Sequence, residues 1–198
     1  MKKTLLITLI MTVTLISTAC VNKFAVQELN NNAQKMLASG DVEGAISRLE
    51  SSIDLDESLY ETHYNLAVAY LEAKKLDKAE KALDKVFELN PDFPEAYHTM
   101  GVVYEEKAYE IVNGQNEEGN VENAEDADYV KANQESLTDE QKMDVNKYIT
   151  TAIEYYNKYL SKKVNAEDAS KVNEKIDALN TELRKYSTEE AGNPGSVD

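Results

Sequence analysis

The sequence contains few of the residues that interrupt helices or cross-link a chain. Its 198 residues include three prolines, seven glycines, no tryptophan and one cysteine, Cys20. A single cysteine excludes a disulfide within the chain, and the shortage of turn residues and of β-branched runs argues against a sheet protein. Ala, Leu, Glu, Lys and Asn are abundant instead. This composition predicts an all-α protein.

Basic residues are also scarce. The chain carries 21 Lys and Arg against 37 Asp and Glu, which gives a formal net charge of −16. Phosphate binding needs clustered Lys and Arg, and so does electrostatic docking on anionic lipid. We therefore expect no nucleic-acid partner and no purely electrostatic attachment to a membrane, and we expect most acidic residues to form solvated faces.

The first 19 residues differ from the rest. Two lysines precede the apolar stretch LLITLIMTVTLI, and the small residues STA come directly before Cys20. The stretch is shorter than the roughly 20 residues of a membrane-spanning helix, and it matches the hydrophobic region of a secretory signal.

This arrangement resembles the lipobox of bacterial lipoproteins, in which a peptidase cuts before the cysteine and lipid is attached to it. The resemblance implies a signal peptide over residues 1–19, lipidation of Cys20 and a short linker over residues 20–25. An ordinary signal peptide that ends near a cysteine is the alternative.

A 34-residue repeat is the strongest pattern in the sequence. Residues 26–59 align with residues 60–93 without a gap, and a third copy begins at residue 94. The spacing predicts two antiparallel helices in each unit, with large residues filling the space around close helix contacts. Those contacts are expected at the small residue that recurs in each copy: Ala33, Ala67 and Gly101.

The repeat resembles the tetratricopeptide repeat, whose pattern is an aromatic, Leu-Gly, Tyr, Ala, an aromatic and Pro. The second copy matches this pattern with His63, Leu66, Ala67, Tyr70, Ala79, Leu83 and Pro91. The resemblance implies an all-α superhelix, or α-α solenoid, of about three units: residues 26–59, 60–93 and 94–162.

The third unit is interrupted. Its second-helix signature, Ala152 with Tyr156, comes much later than the period requires. Gly114 is a suitable stop for the first helix, and Thr138 followed by Gln141 predicts a capping box that opens the second helix early. We therefore expect a hairpin of two lengthened helices, with an acidic insertion at about residues 114–137.

A terminal helix is predicted over residues 165–186. Asn165 can cap its start, and its apolar residues form one stripe with charges opposite, as the end of a solenoid needs. The stripe consists of Ala169, Val172, Ile176, Leu179 and Leu183. Residues 187–198 are predicted to be a disordered tail.

Little in the sequence indicates catalysis. The two histidines, His63 and His98, occupy different repeat positions, no Gly-rich phosphate loop follows a strand, and Cys20 would be taken by lipid. We expect neither enzyme activity nor a cofactor, and we assign no metal ligands.

The acidic insertion leaves one alternative, a site for a small ligand or a metal ion. Its spacing is partly that of a calcium loop, but Gly114 stands where the first carboxylate ligand is needed.

The tetratricopeptide resemblance implies a concave groove lined by the first helices of successive units. Carried over position by position, the partner-binding residues are Asn30, Gln34, Tyr64, Val68, Glu72, His98, Val102 and Glu105. None of them is basic, so a neutral or basic, partly apolar peptide or helix is the expected partner. Leu37 and Leu71 are expected to contact the neighbouring repeat instead.

The leading functional hypothesis is a lipid-anchored interaction scaffold of a bacterial cell envelope. Tetratricopeptide lipoproteins that resemble this layout include assembly factors for pili, outer-membrane proteins and cell-wall enzymes. Val21 follows Cys20 where some lipoproteins retained at the inner membrane have aspartate. This favours the periplasmic face of an outer membrane, or the outer surface if the host has one membrane.

Overall fold

The computed structural model describes residues 23–113, 137–162 and 164–186. These residues form seven α-helices and no strand. In chain order the helices are α1 (23–38), α2 (Val42–Leu55), α3 (Tyr60–Glu72), α4 (Leu76–Leu89), α5 (Pro94–Val112), α6 (Asp139–Leu160) and α7 (Ala166–Tyr186). The predicted signal peptide, Cys20, nearly all of the acidic insertion and the tail lie outside the described residues.

The first two helix pairs repeat the same backbone geometry 34 residues apart. Gly40, in the turn between α1 and α2, has a φ of 81°, and Lys74, in the turn between α3 and α4, has a φ of 55°. In each turn the amide of the residue that follows donates to the carbonyl oxygen five residues earlier. Asp41 N donates to Met36 O at 2.9 Å, and Lys75 N donates to Tyr70 O at 2.8 Å. Glycine adopts this left-handed conformation readily, whereas in lysine the Cβ crowds the backbone and the conformation is strained.

The helices of the interrupted third unit are long, as predicted. The helix α5 has 19 residues and α6 has 22, against 13 or 14 in α2 to α4. At the start of α6 the predicted capping box is formed: Gln141 N donates to Thr138 Oγ1 at 3.2 Å, and Thr138 N donates to Gln141 Oε1 at 3.0 Å. These reciprocal bonds satisfy amides that the helix itself leaves unpaired.

The terminal helix also forms as predicted. The amide of Asp168 donates to Asn165 Oδ1 at 2.9 Å and so caps the first turn of α7. Val172, Ile176 and Leu179 are buried along one face of this helix. At the other end of the chain, α1 begins at residue 23, three residues before the predicted start of the first repeat at residue 26.

The chain divides into two compact units, one up to Ala96 and one from Tyr97. In the first unit α3 packs against both α2 and α4. Its fully buried positions include the small residues of the repeat and the large residues beside them: Ala33, Ala45, Leu49, Ala67, Ala79, Leu83 and Val86. In the second unit α6 packs against α7, and Tyr156 of α6 is fully buried.

Gly101 shows why the repeat needs small residues. It is buried on α5, and a Cβ built on it would lie 2.6 Å from Cε1 of the Tyr156 ring. Carbon atoms do not approach this closely, so the ring occupies the space that any side chain at this position would need. The small residue therefore fixes how near α6 lies to α5.

Replacing Gly101 with alanine is expected to lower the free energy of unfolding by about 1–3 kcal/mol, because overpacking outweighs the better helix propensity of alanine. Urea unfolding followed by circular dichroism measures this. Asn173→Ala, at an exposed position of α7, is the control, because it also adds helix propensity and meets no packed side chain. Equal effects of the two substitutions would contradict the packing argument.

Candidate functional site

The predicted partner-binding residues fall in both compact units. Asn30 and Gln34 lie on α1 and three more lie on α3 in the first unit, and the remaining three lie on the part of α5 in the second unit.

Three predicted residues follow one face of α3. Tyr64, Val68 and Glu72 are four residues apart, so they lie one above another on the helix. Tyr64 and Val68 are half-buried and Glu72 is exposed. The ring of Tyr64 contacts Phe93 edge to face, with ring centroids 4.9 Å apart and an interplanar angle of 89°. Within the first unit this face of α3 therefore offers a part-apolar surface that ends in a carboxylate.

Asn30 lies within a polar network that joins the first three helices. Its amide nitrogen lies 2.8 Å from Ser52 Oγ on α2 and 3.0 Å from Thr62 Oγ1 on α3. Asn65 Nδ2 donates to Asn30 Oδ1 at 3.2 Å. Ser52 and Thr62 are almost completely buried, so their hydroxyl groups depend on partners inside the protein. The side chain of Asn30 therefore connects helices, whereas Gln34 on the same helix is exposed.

His98 is packed against aromatic rings of α6. Its ring centroid lies 5.5 Å from that of Tyr156 and 5.3 Å from that of Tyr159. Burial lowers the pKa of His98 below its usual value, and the positive charge of Lys175 lowers it further, against the opposing effect of Glu105. The ring is therefore held in its neutral form at neutral pH and contributes no positive charge to the acidic surface predicted there.

Glu105 is paired with a base that the repeat pattern does not reveal. Glu105 Oε2 accepts from Tyr156 Oη at 2.7 Å and from Lys175 Nζ, on the terminal helix α7, at 2.8 Å. The hydroxyl of Tyr156 keeps its proton because burial, followed by the charge of Glu105, raises its pKa. The predicted acidic end of the surface thus carries a compensating cation. Val102, between His98 and Glu105 on α5, is half-buried.

A row of tyrosines and lysines in the second unit is not predicted from the sequence. The rings of Tyr104 and Tyr155 stack with centroids 5.7 Å apart and an interplanar angle of 10°, and Tyr97 and Tyr148 extend the row. Lysine ammonium groups lie over these rings, the nearest being that of Lys158 at 4.6 Å from the Tyr155 centroid. One sequence pattern could have predicted this row, because the tyrosines of each helix are seven residues apart: Tyr97 and Tyr104 on α5, and Tyr148 and Tyr155 on α6.

Two further properties of the described residues bear on function. In the part of the chain that the structure describes, no group of three or more His, Cys, Asp or Glu residues is arranged to hold a metal ion. Across residues 23–113, 137–162 and 164–186, no helix is both long enough and apolar enough to cross a membrane. The alternative ligand site in the acidic insertion lies outside the described residues and stays a prediction.

Comparison with known proteins identifies the fold. Residues 36–101 match the tetratricopeptide repeat family. The photosystem I assembly protein Ycf3 of Prochlorococcus marinus is 31% identical over 87 residues, which cover 42% of this chain and 50% of that protein. The chain thus spans about half the length of the curated relative that it matches.

Solved structures, two of them tetratricopeptide repeat (TPR) domains, resemble most of the chain. The first TPR domain of Spaghetti (RPAP3), bound to the HSP90 peptide SRMEEVD, has a TM-score of 0.54 at 16% identity and covers 80% of this chain and 95% of its own. The TPR2B domain of yeast Sti1, in a complex with pHsp70, has a TM-score of 0.53 at 14% identity, with coverages of 82% and 98%. The type III secretion translocator chaperone SycD of Yersinia enterocolitica scores 0.53 at 12% identity, with coverages of 80% and 86%.

These likenesses and the seven helices of the described residues define the fold. The chain has the all-α tetratricopeptide repeat fold, as the sequence predicts.

Asn30→Ala is expected to lower the free energy of unfolding by about 1–3 kcal/mol, because it leaves the buried hydroxyl groups of Ser52 and Thr62 with fewer partners. Thermal and urea unfolding of the purified protein measure the loss. Gln34→Ala is the control on the same helix, and its exposed side chain should change stability by about 0.5 kcal/mol or less. Similar small effects of both substitutions would show that the network contributes nothing measurable.

Proposed function

We propose that this protein is a lipid-anchored interaction scaffold of a bacterial cell envelope, which holds or assembles protein partners on its repeat surface. The observation that carries the proposal is the repeat fold itself, with one face of α3 left partly exposed. The opposite face of α3 is packed in the core of the first unit, so the exposed face of α3 is the surface available for a partner.

Protein partners are supported by what TPR domains of the same fold hold. The Spaghetti (RPAP3) domain holds an HSP90 peptide, and the Sti1 domain is in a complex with pHsp70. The names of Ycf3, a photosystem assembly protein, and SycD, a translocator chaperone, describe roles in handling other proteins. This resemblance in fold supports a role in holding or assembling partners.

The charge on α3 favours a different peptide from SRMEEVD, which contains three acidic residues. Glu72 is exposed at the end of the α3 face, and none of the predicted partner-binding residues is Lys or Arg. An acidic peptide would be repelled there, because like charges across an interface oppose binding. We therefore infer a neutral or basic partner segment with apolar residues that pack on Tyr64 and Val68.

The membrane attachment is inferred from the lipobox-like sequence that ends at Cys20. The helix α1 begins at residue 23, so three peptide steps separate Cys20 from the folded domain. A fully extended chain spans at most about 3.6 Å per residue, which limits this distance to roughly 11 Å. The first repeat would therefore lie close to the membrane. The acyl chains would hold it there, since the mature chain, without Lys2 and Lys3, would carry a net charge of −18, which offers no attraction to anionic lipid.

The partner surface is tested by changing its chemistry without disturbing the core. Val68→Ala combined with Glu72→Lys removes apolar contact and reverses a charge, so recovery of a specific partner from envelope extract should fall about tenfold or more. Asp54→Lys, on α2, reverses an equally exposed acidic residue outside the predicted surface and should leave recovery unchanged. If both variants fold and recover the same proteins in the same amounts, the α3 surface is not where partners bind.

Cys20→Ser is expected to release the protein from the membrane fraction, because serine cannot receive the diacylglycerol that the cysteine thiol accepts. Fractionation of cells expressing the full-length chain, followed by mass spectrometry of the mature N-terminus, measures both attachment and lipid. Val21→Ala, at the neighbouring position, is the matched control and should stay with the membrane. A serine variant that remains membrane-bound would exclude lipid as the anchor.

A further inference from the structure

A groove lies within the first compact unit, between α3 and α4. Its volume is about 450 Å³, which is within the range of small-molecule sites in proteins. Leu66 and Tyr70, in its floor, are each two residues from Val68, so they lie on the opposite side of α3 from the predicted partner surface. The lining residues are His63, Leu66, Tyr70, Lys78, Lys81, Ala82 and Lys85. None of them is a predicted partner-binding residue.

One side of this groove is basic. Lys78, Lys81 and Lys85 follow one another at steps of three and four residues on α4, so they lie along one face of that helix. The described residues that line the groove include no Asp or Glu. In a chain with 37 acidic and 21 basic residues, this groove therefore presents positive charge alone on its lining.

Two of these lysines have no carboxylate partner among the described residues. Lys85 Nζ pairs with a carboxylate oxygen of Glu88 at 2.8 Å. Within residues 23–113, 137–162 and 164–186, the side chains of Lys78 and Lys81 form neither an ion pair nor a hydrogen bond. Their ammonium groups are therefore available to an anion that enters the groove.

The floor of the groove is apolar and held in place. Leu66 and Ala82 are buried, and the hydroxyl of Tyr70 donates to Glu50 Oε1 at 2.7 Å. Burial, together with this carboxylate, raises the pKa of Tyr70 to about 12, so the hydroxyl keeps its proton and remains the donor. Lys78 Nζ lies over the tyrosine ring, 5.4 Å from its centroid, and Glu50 pairs with the tyrosine rather than with this lysine.

We propose that this groove binds an anionic group carried on an apolar body. The anion would be held by Lys78 and Lys81, because hydrogen bonds between ionised partners are stronger than neutral ones. The apolar body would leave water to pack on Leu66, Tyr70 and Ala82. Two sources have this chemistry, a free anionic amphiphile and a peptide with an acidic side chain beside an apolar one. The proposal does not depend on the envelope scaffold role, because its residues lie on α3 and α4.

A matched pair of dyes tests the ligand class. Anilinonaphthalene sulfonate and its parent phenylnaphthylamine have the same apolar body, and only the first carries an anionic group. In fluorescence titrations of the full chain, the sulfonate dye should bind at least about tenfold more tightly. This preference should shrink as salt is added, because salt screens exposed charges. Equal affinities, or a preference that salt does not change, would overturn the proposal.

Competition with the bound sulfonate dye identifies the source of the anion. Hexanoate represents a free anionic amphiphile, and the dipeptide acetyl-Leu-Glu-amide represents an acidic side chain beside an apolar one. Displacement by hexanoate alone would identify a free amphiphile, and displacement by the dipeptide would identify a peptide. Displacement by neither compound at millimolar concentration would contradict the proposal.

A double variant tests the two lysines. Lys78→Gln with Lys81→Gln removes both charges at exposed positions, so affinity for the sulfonate dye should fall about tenfold or more while affinity for the neutral dye stays the same. Lys35→Gln with Lys147→Gln, at exposed positions of α1 and α6, is the control with the same change in net charge. Equal losses in the two double variants would show that overall charge attracts the dye, and the assignment to this groove would be wrong.

A second double variant separates charge from shape. Lys78→Arg with Lys81→Arg keeps both positive charges, and a guanidinium donates to oxyanions as an ammonium does. This variant should therefore keep the preference for the sulfonate dye over the neutral dye. If it loses that preference as fully as the glutamine variant does, positive charge at these positions is not what binds the anion.

Discussion

The close approach of neighbouring helices at small residues is the constraint on which the rest of this structure depends. Ala33 and Ala67 have no exposed surface, and Gly101 lies so near the Tyr156 ring that even one methyl group does not fit. Because packed interiors have almost no spare volume, the residue at this position sets the distance between helices. The large side chains around it then fill the remaining space between the helices. This packing determines which faces of the helices stay exposed.

Local polar interactions fix where α6 and α7 begin, and these could be predicted from the sequence. Thr138 and Gln141 form the expected capping box, and Asn165 caps the terminal helix. Such interactions span three residues, so they depend little on the rest of the fold. The helix α1 begins at residue 23, ahead of the repeat unit predicted from residue 26, because the repeat register gives the alignment of the units and not the first turn of a helix.

Interactions between residues far apart in the chain could not be read in this way. Asn30 looks like a free polar residue of a binding surface, yet it joins hydroxyl groups from two other helices. Glu105 looks like an exposed acid, yet Lys175 lies beside it although 70 residues separate them in the chain. Sequence periodicity predicts the face of a helix on which a residue lies. It does not predict which side chain of another helix contacts that residue.

The sequence by itself determined the repeat period, the helical class, the lengthened third hairpin and the acidic balance, because each depends on local spacing or on composition. Only the tertiary structure decided which polar residues connect helices and how the charge of Glu105 is compensated. These features arise where side chains from separate helices meet. Their positions depend on packing distances that no local pattern contains.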